Sequence, residues 1–343
     1  MTTGLVFSEK YLEHDLGPRH PEKPERLNTI VNALKREGLW GESGTKVISP
    51  TSSSEEDIEL AHDPAHVRSV KESSAAGIMI DLDTPTNENT FDLALLSAGG
   101  TINAFEGVAN GNLDNAYALV RPPGHHATRD SGGGFCYFNN IAIGVEKLRK
   151  EGKIDRAMIL DFDSHHGNGT QDIFYDNPHI LYMSLHQDGR SLYPGSGFTR
   201  ETGTGEGEGY TVNVPFPPNS SDQDYASAMR EIFVPLVEQF EPQIIAVSAG
   251  FDAHREDPLT RLGLSTPAYS WITNFVKEQA KKTCNGRSVF VLEGGYSLDI
   301  IGKANVGVVK VLTCSEPISS PPKDSTPKVV RELKEELSDY WEF

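Results

Sequence analysis

Residues 158–170, MILDFDSHHGNGT, decide the architecture of this chain. The stretch starts with apolar residues that are typical of a buried β-strand, and it becomes polar within a few positions. In an extended backbone, residues two apart point to the same side, so Asp161, Asp163 and His165 would line one face where the strand ends. Burying two carboxylates and an imidazole costs free energy unless they bind a metal ion or pair with one another. The stretch therefore predicts a buried strand that ends in a metal site.

Strands and helices alternate on both sides of this stretch. Apolar runs predict strands at 4–8, 116–120, 156–162, 180–185, 210–216, 243–250 and 288–295. Helical spacing predicts helices at 27–39, from about residue 64, and at 91–108, 141–150, 224–240 and 267–282, whereas 52–59 is typical of a polar connection. This alternation favours an α/β fold with a mostly parallel sheet and helices on both faces.

Two segments depart from the alternation. Residues 14–27, HDLGPRHPEKPERL, hold too many prolines for a helix and predict a long irregular loop of the kind that is often functional. Residues 315–327 are rich in proline and serine and predict a loop, and 328–343 have helical spacing and are expected to dock on the body of the protein. No repeat or linker divides the chain, so we expect one domain over 1–343 with a core at about 5–310.

The chain has 343 residues and is acidic, with 31 lysines and arginines, 49 aspartates and glutamates and a net charge of −18. This balance argues against a nucleic-acid or anionic-membrane partner, since both require a basic face. It suits a cationic substrate or simply a solvated acidic surface. The sequence carries no signal for the oligomeric state.

Cysteine usage and the N-terminal residues bear on the location of the protein. Cys136, Cys284 and Cys314 are widely spaced and odd in number, so neither a disulfide framework nor a CxxC metal site is expected. The initial residues MTTGLVFSEK lack the pattern of a signal peptide, and no apolar run approaches the roughly 18 residues that span a bilayer. We therefore expect a cytoplasmic protein.

Polar clusters also follow the other predicted strands. Open parallel sheets gather their active sites beyond the C-terminal ends of their strands. The shared placement of these clusters is more informative than any one of them alone. They contain His125 and His126, His186, Asp252 and His254, and Tyr296.

A catalytic zinc ion takes three protein ligands and leaves one position open. Asp163 and His165 supply two ligands, and Asp252 is the best third, although an aspartate there could instead cap a helix or a turn. His125 and His126 form a poorer metal pair because adjacent residues on an extended chain diverge. They are better placed as acid/base groups beside the metal ion.

Three further residues complete the predicted site. A histidine poised for proton transfer needs an acceptor at its other ring nitrogen, and we expect Asp161 to orient His125 and Asn168 to orient His126. The two histidines should not be equivalent, because an aspartate raises the basicity of its partner more than an asparagine does. Tyr296 follows a GG turn and is either a donor to the oxyanion that forms when water attacks a carbonyl, or an ordinary buried tyrosine.

These motifs resemble those of the histone deacetylase and acetylpolyamine amidohydrolase superfamily, over about residues 5–310. Asn168, the FD of AGFDAH and the EGGY turn resemble the class II deacetylases and their prokaryotic relatives more closely than class I. The motifs that carry the resemblance are GPRHPEKPERL, RPPGHHA, GGGFCYFNN, LDFDSHHGNGTQDIF, SLHQ, AGFDAHREDPL and LEGGYSL.

The resemblance implies the single-domain arginase–deacetylase fold with about eight strands, one zinc ion per chain, and hydrolysis of an N-acyl amide. The expected substrate is acetyl-lysine in a protein or peptide, which would give acetate and a free amine. By motif position, the zinc ligands would be Asp163, His165 and Asp252, the acid/base pair His125 and His126, and the oxyanion donor Tyr296.

The resemblance also implies a tunnel for the acyl-lysine side chain and one or two structural potassium ions. Phe135 and Tyr193 would wall the tunnel, the Gly134 carbonyl would accept from the substrate amide, and Leu259 would lie near the mouth. The inner potassium site would use Asp161, Asp163, His165, Ser184 and Leu185, and the outer site Phe174, Asn177, Ile180 and Tyr210.

Three alternatives stay open. A binuclear manganese ureohydrolase on the same fold would carry aspartates where this chain has Gly167 and His254. An acetylpolyamine deacetylase would use an acidic gatekeeper where this chain has Leu259, although another acidic residue could substitute. A non-enzyme that only binds acyl-lysine is disfavoured, because every matched catalytic position is filled.

Overall fold

A single sheet of eight strands forms the centre of the protein, and every pairing within it is parallel. The structure, a computed structural model, describes residues 1–314, 320–322 and 327–343. The strands are Thr3–Val6 (β1), Thr45–Ile48 (β2), Asn115–Ala118 (β3), Ala157–Asp161 (β4), Ile180–Gln187 (β5), Thr211–Phe216 (β6), Ile245–Ala249 (β7) and Ser288–Leu292 (β8). The predicted parallel sheet is confirmed.

The strand order across the sheet is β2-β1-β3-β8-β7-β4-β5-β6. The opening stretch supplies β4, which lies between β7 and β5 and is buried at every position. This burial explains why its sequence is apolar without alternation, as is usual for a strand covered on both faces. Because all strands run in the same direction, their C-terminal ends share one edge of the sheet.

The helices form two groups that contact the central strands. Helix α10 packs against both α1 and α9, and α9 packs against β8, whereas α4 and α5 pack together, with α4 against β3 and α5 against β7. No helix in the described ranges combines the length and the apolar character that crossing a membrane requires. The helices are Glu25–Arg36 (α1), Glu55–Ile58 (α2), Pro64–Ala76 (α3), Thr90–Ala109 (α4), Asn140–Lys150 (α5), Asn168–Phe174 (α6), Asp222–Ala228 (α7), Val234–Phe240 (α8), Thr266–Thr283 (α9), Leu298–Leu312 (α10) and Lys328–Glu336 (α11).

Strand β2 and helices α6 and α10 were absent from the sequence-based prediction. Strand β2 pairs only with β1 at the edge of the sheet and is short and partly exposed, so its apolar signal is weak. Helix α10 contains two glycines and many β-branched residues, which disfavour helices when considered alone. Its packing overrides that preference, because Gly302 allows α10 to approach Thr29 and Ala33 of α1 closely.

Two predicted segments differ in detail. The polar connection at 52–59 contains α2, which Ser54 and Asp57 begin with reciprocal side-chain-to-backbone hydrogen bonds of 3.2 Å. The helix predicted at 224–240 is helical throughout but contains a π-helical turn at Met229–Phe233 between α7 and α8. Neither difference alters the position of the site.

The C-terminal helix α11 packs on the body of the protein through Val330, Leu333 and Leu337, which are fully buried. Beyond it, the indole nitrogen of Trp341 donates to the Gly209 carbonyl at 2.7 Å. The helix ends earlier than the predicted 328–343. Within the predicted loop 315–327, residues 315–319 and 323–326 lie outside the described residues.

Three buried histidines have surroundings that favour the neutral ring. Burial lowers the pKa of His62 to about 3 and the pKa values of His14 and His186 to about 4. In His62, Nε2 accepts from the backbone N–H of Asn139 at 2.8 Å, while Nδ1 lies 2.8 Å from the Thr128 carbonyl. A proton on Nε2 would meet the N–H group of Asn139, so the fold requires the neutral ring.

We expect the free energy of unfolding to fall as the pH is lowered from 7 to 5. Unfolded histidines titrate near pH 6.5, whereas these folded pKa values are lower, so the unfolded chain binds more protons in this interval. Each of the three rings should then lower the free energy of unfolding by about 1 kcal/mol for every pH unit below the pKa of the unfolded histidine. Chemical denaturation at both pH values, with a chelator present, measures the loss. His62→Asn should reduce the difference in bound protons between the unfolded and the folded chain by about one, so the free energy of unfolding should change less with pH. Equal free energies of unfolding at pH 7 and 5 in the wild type would contradict the expectation.

Candidate active site

A cavity of about 720 Å³ opens at the C-terminal edge of the sheet. The clusters that follow β3, β4, β7 and β8 converge there, as the parallel topology requires. Among the predicted site residues, His126, Gly134, Phe135, His165, Tyr193, Leu259 and Tyr296 line the cavity.

Asp163, His165 and Asp252 form the only group of metal-ligating side chains found within the described part of the chain. One ligand atom from each lies within 4.8 Å of the others. Nδ1 of His165 lies 2.8 Å from Oδ2 of Asp252 and 3.1 Å from Oδ1 of Asp163. Two buried carboxylates on one imidazole nitrogen form a nitrogen-and-oxygen donor set that suits a divalent cation such as zinc.

Backbone groups from neighbouring strand ends fix both carboxylates. Asp252 Oδ1 accepts from the Ser164 N–H at 2.8 Å, and Asp163 Oδ2 accepts from the Gly294 N–H at 2.8 Å. A Cβ atom at Gly250 or Gly294 would collide with the Asp163 carboxylate, so glycine is required at both positions. The ends of β4, β7 and β8 thus orient the ligands before any metal ion binds.

The two tandem histidines have the predicted partners. His125 Nδ1 lies 3.0 Å from Asp161 Oδ2, and His126 Nδ1 lies 2.7 Å from Asn168 Oδ1. Because an amide oxygen only accepts, the His126 proton resides on Nδ1, and Nε2 keeps a free lone pair. The imidazole of His126 lines the cavity.

The surroundings separate the pKa values of these two rings. Burial alone lowers the pKa of His125, but the charges of Asp161 and Asp163 outweigh burial and raise it to about 10. Burial, together with the adjacent His125 and His165, holds the pKa of His126 well below its usual value. A cation on Asp163 would offset part of the effect on His125, whereas the Asp161 contact would persist. The surroundings therefore favour a charged His125 beside a neutral His126.

Tyr296 is held with its hydroxyl group unpaired. Its ring lies against the Arg26 guanidinium, 5.1 Å from the ring centroid, and its backbone N–H donates to Asp257 Oδ2 at 2.7 Å. The hydroxyl makes no hydrogen bond to any residue that the structure describes. Burial raises the pKa of Tyr296 well above its usual value, so the hydroxyl remains a proton donor at neutral pH.

Aromatic and aliphatic side chains wall the cavity above these groups. The Phe135 ring packs edge-on against Tyr296 at 6.0 Å, and the Tyr193 ring packs edge-on against His126 at 5.0 Å. Tyr193 and Leu259 are 42% and 39% exposed, which puts them at the mouth of the cavity. The polar groups of the site thus share one cavity with the exposed side chains of Tyr193 and Leu259.

A comparison with known proteins identifies the family. The sequence model of the histone deacetylase domain matches residues 20–312, which are most of the chain. The chain belongs to the histone deacetylase family.

Two similar proteins and one solved structure support this family assignment. A probable deacetylase of Archaeoglobus fulgidus is 45% identical over 313 residues, covering 91% of this chain and 86% of that protein. A histone deacetylase-like amidohydrolase of Pseudomonas aeruginosa is 36% identical over 330 residues, with the same coverage of 91% and 86%. The crystal structure of the HDA15 HD domain matches with a TM-score of 0.90 at 32% identity, over 99% of this chain and 95% of that one. The predicted superfamily and the arginase–deacetylase fold are confirmed, and the chain is a hydrolase of the deacetylase family.

The residues expected at the inner potassium site of this family lie together. Asp161, at the end of β4, is in register with Ser184 of β5, and Leu185 follows it. Asp163 and His165 come directly after β4, so all five residues surround one strand end. The inner position therefore adjoins the metal-ligating group.

The residues expected at the outer potassium site lie around the start of β5. Phe174 ends α6, Ile180 begins β5, Asn177 lies on the turn between them, and Tyr210 directly precedes β6. The Phe174 carbonyl already accepts from Asn177 at 3.0 Å, and the Tyr210 carbonyl accepts from Tyr182 at 2.9 Å. Each of these carbonyls keeps one lone pair for another partner.

Sequence reasoning missed a buried carboxylate under the histidine pair. Glu293 Oε2 accepts from the backbone N–H groups of Gly124 at 2.8 Å and His125 at 3.2 Å, and Oε1 accepts from the Ser248 hydroxyl at 3.2 Å. Burial raises the pKa of Glu293 to about 7. A charged residue that directly continues the apolar strand SVFVL was the signal that could have revealed it.

His166, directly after His165, fastens the loop that carries Tyr193. Its Nδ1 lies 2.8 Å from the Ser196 hydroxyl, and its Nε2 lies 3.0 Å from Gln171 Oε1.

Proposed function

We propose that this chain is a zinc-dependent amidohydrolase that removes an acetyl or related acyl group from the lysine side chains of proteins or peptides. The observation that carries the proposal is the pair of unequal histidines beside three buried metal-ligating side chains in one cavity. Acyl transfer to water needs a neutral base, a proton donor and a charged site for the carbonyl oxygen, and these groups match that list.

Asp163, His165 and Asp252 would hold the zinc ion. When bound, zinc would polarise the substrate carbonyl and lower the pKa of a water molecule. The two carboxylates need such a cation, because buried like charges at this separation repel each other. Asp161 lies outside this set in the proposal and acts on His125 instead.

His126 is the proposed general base. Asn168 keeps the proton on Nδ1, so Nε2 is free to accept the proton of the attacking water. The low pKa of His126 keeps the ring neutral until that moment, and His125 stays protonated beside it. A proton then passes from a protonated histidine to the leaving amine, and acetate and lysine are released.

Tyr296 is the proposed donor to the tetrahedral oxyanion. Its unpaired hydroxyl faces the cavity in which a carbonyl oxygen would acquire charge. Phe135 and Tyr193 would enclose the aliphatic stem of the lysine, and the Gly134 carbonyl would accept from the substrate amide. Leu259 at the mouth favours an uncharged stem over a polyamine.

Metal content and chelation test the proposal. We expect activity to disappear with a chelator and to return with about one equivalent of zinc per chain, because three side chains and one open position serve a single ion. Plasma emission spectroscopy of active enzyme measures the stoichiometry. Two equivalents of manganese would instead support the binuclear ureohydrolase, which Gly167 and His254 disfavour since neither supplies a carboxylate.

A substrate panel separates the remaining possibilities. Acyl-lysine peptides of several chain lengths and acetylspermidine would be compared with the zinc enzyme by kcat/KM. We expect the peptides to be preferred, given Leu259 at the entrance. A clear preference for acetylspermidine would make the polyamine deacetylase the correct function.

Three further assignments belong to the same proposal. One or two potassium ions would bind at the inner and outer positions through carbonyl and carboxylate oxygens. The partner would be an acylated protein, peptide or amine, with no nucleic acid or membrane, as the net charge of −18 favours. The three free cysteines suit a cytoplasmic location.

A further inference from the structure

Asp257 joins two loops at the mouth of the cavity through one buried carboxylate. It is 7% exposed, and its two oxygens accept from two backbone groups. Oδ1 accepts from the Leu259 N–H at 2.9 Å, and Oδ2 accepts from the Tyr296 N–H at 2.7 Å. No lysine or arginine in the described residues forms an ion pair with Asp257. Its two carboxylate oxygens are held by the backbone N–H groups of Leu259 and Tyr296.

The two hydrogen bonds of Asp257 differ in the sequence separation of their partners. The Leu259 contact, two residues along the chain, is the local turn that an aspartate often makes. The Tyr296 contact spans 39 residues and joins the loop after β7 to the loop after β8. A turn-forming role explains one oxygen only, so the second contact requires another explanation.

The loop that carries Tyr296 needs such a restraint. Gly294 and Gly295, directly before it, have no Cβ atom, and Gly295 has a φ of +114°, so the backbone itself restrains this turn little. Arg26 holds this loop from one side, because its guanidinium donates to the carbonyls of Glu293 and Gly295. Asp257 holds the loop from the other side, at the N–H of Tyr296.

We propose that Asp257 is a positioning residue that sets the Tyr296 hydroxyl relative to the cavity wall at Leu259. The inference rests on the proposed function, in which that hydroxyl stabilises the oxyanion. Both residues line the same cavity, so one carboxylate fixes the distance between the wall that contacts the substrate stem and the group that contacts its carbonyl. Asp257 itself touches neither substrate nor metal in this proposal.

The first test is Asp257→Asn, which preserves size and removes one acceptor. In either orientation of the amide, its NH2 group faces a backbone N–H, so one of the two contacts is lost. We expect kcat to fall by about 10- to 100-fold, with KM within about 3-fold, since small displacements of a catalytic group act mainly on the transition state. The zinc content should stay at the wild-type value.

Asp222→Asn is a matched control. Asp222 also accepts from a backbone N–H of a distant segment, that of Ser265 at 2.8 Å, but it does not line the cavity. We expect this variant to lower the melting temperature without changing kcat. An equal loss of kcat in both variants would show that Asp257 acts through general stability, and the proposal would be overturned.

A double-mutant cycle separates positioning from other effects. If Asp257 acts through the Tyr296 hydroxyl, Asp257→Asn should change kcat by less than about 2-fold in a Tyr296→Phe background. A full loss in both backgrounds would overturn the inference. If Tyr296→Phe alone has wild-type activity, the proposed role of Tyr296 is the part that fails. Should Asp257→Asn not fold, Asp257→Glu, which keeps both oxygens at a longer reach, carries the same cycle.

Discussion

Replacing His126 with alanine is expected to lower kcat for an acetyl-lysine peptide by about 10³-fold, within the range measured for loss of a general base. The reason is that His126 alone combines a neutral ring, a free Nε2 and a position on the cavity wall. The neighbouring ring cannot substitute, because Asp161 keeps His125 protonated. Steady-state kinetics measures the loss.

The zinc content of His126→Ala should remain at one equivalent, since this ring is not among the proposed ligands. His179→Ala provides a control, because His179 is half-buried, does not line the cavity, and has its Nδ1 3.1 Å from Oδ1 of Asp155. That variant should keep wild-type kcat. Activity of His126→Ala within a few-fold of the wild type would show that proton transfer uses another group.

Replacing Tyr296 with phenylalanine should lower kcat by about 10²- to 10³-fold, as loss of an oxyanion donor does in other hydrolases. The substitution removes only a hydroxyl that no described residue engages, so the ring can keep its contacts with Arg26 and Phe135. Binding of the ground-state carbonyl depends less on this donor, so KM should change little.

Tyr269→Phe is the control for this experiment, because it removes a buried hydroxyl outside the cavity. That hydroxyl donates to the Phe251 carbonyl at 3.0 Å, so its loss should reduce stability and spare kcat. The melting temperature and the zinc content of both variants exclude unfolding as the cause. If Tyr296→Phe turned over at the wild-type rate, another donor would have to stabilise the oxyanion.

Local patterns were sufficient to predict seven of the eight strands and the residues that follow β4 and β7 at the centre of the site. Asp163 and His165 were visible because polar residues two apart followed an apolar run, and Asp252 because it followed another run. Parallel topology then brings these strand ends together, since all C-terminal ends share one edge. The pairing of His125 with Asp161 was predicted for a chemical reason and not from spacing, because a histidine that transfers protons needs an acceptor at its other ring nitrogen.

The remaining features depend on contacts between distant parts of the chain. The role of Asp257 is recognisable only once the backbone N–H groups that it accepts from are in place, and no periodicity reports those groups. Helix α10 was missed because its own residues favour other structures, and its packing against α1 and α9 overrides that preference. Where local preference and tertiary contact disagree, the tertiary contact decides, and it is invisible in a single sequence.

The backbone donors to Asp163 and Asp252 have a consequence for the order of events during folding. Each carboxylate is oriented by an amide at the end of a different strand, so no single βα unit contains a finished ligand. A partly folded chain therefore offers scattered carboxylates of low affinity, whereas the complete sheet offers the whole set at once. Binding of a metal ion by this group would then follow folding of the sheet. The same coupling means that a bound ion stabilises the alignment of three strand ends far more than it would stabilise any one of them.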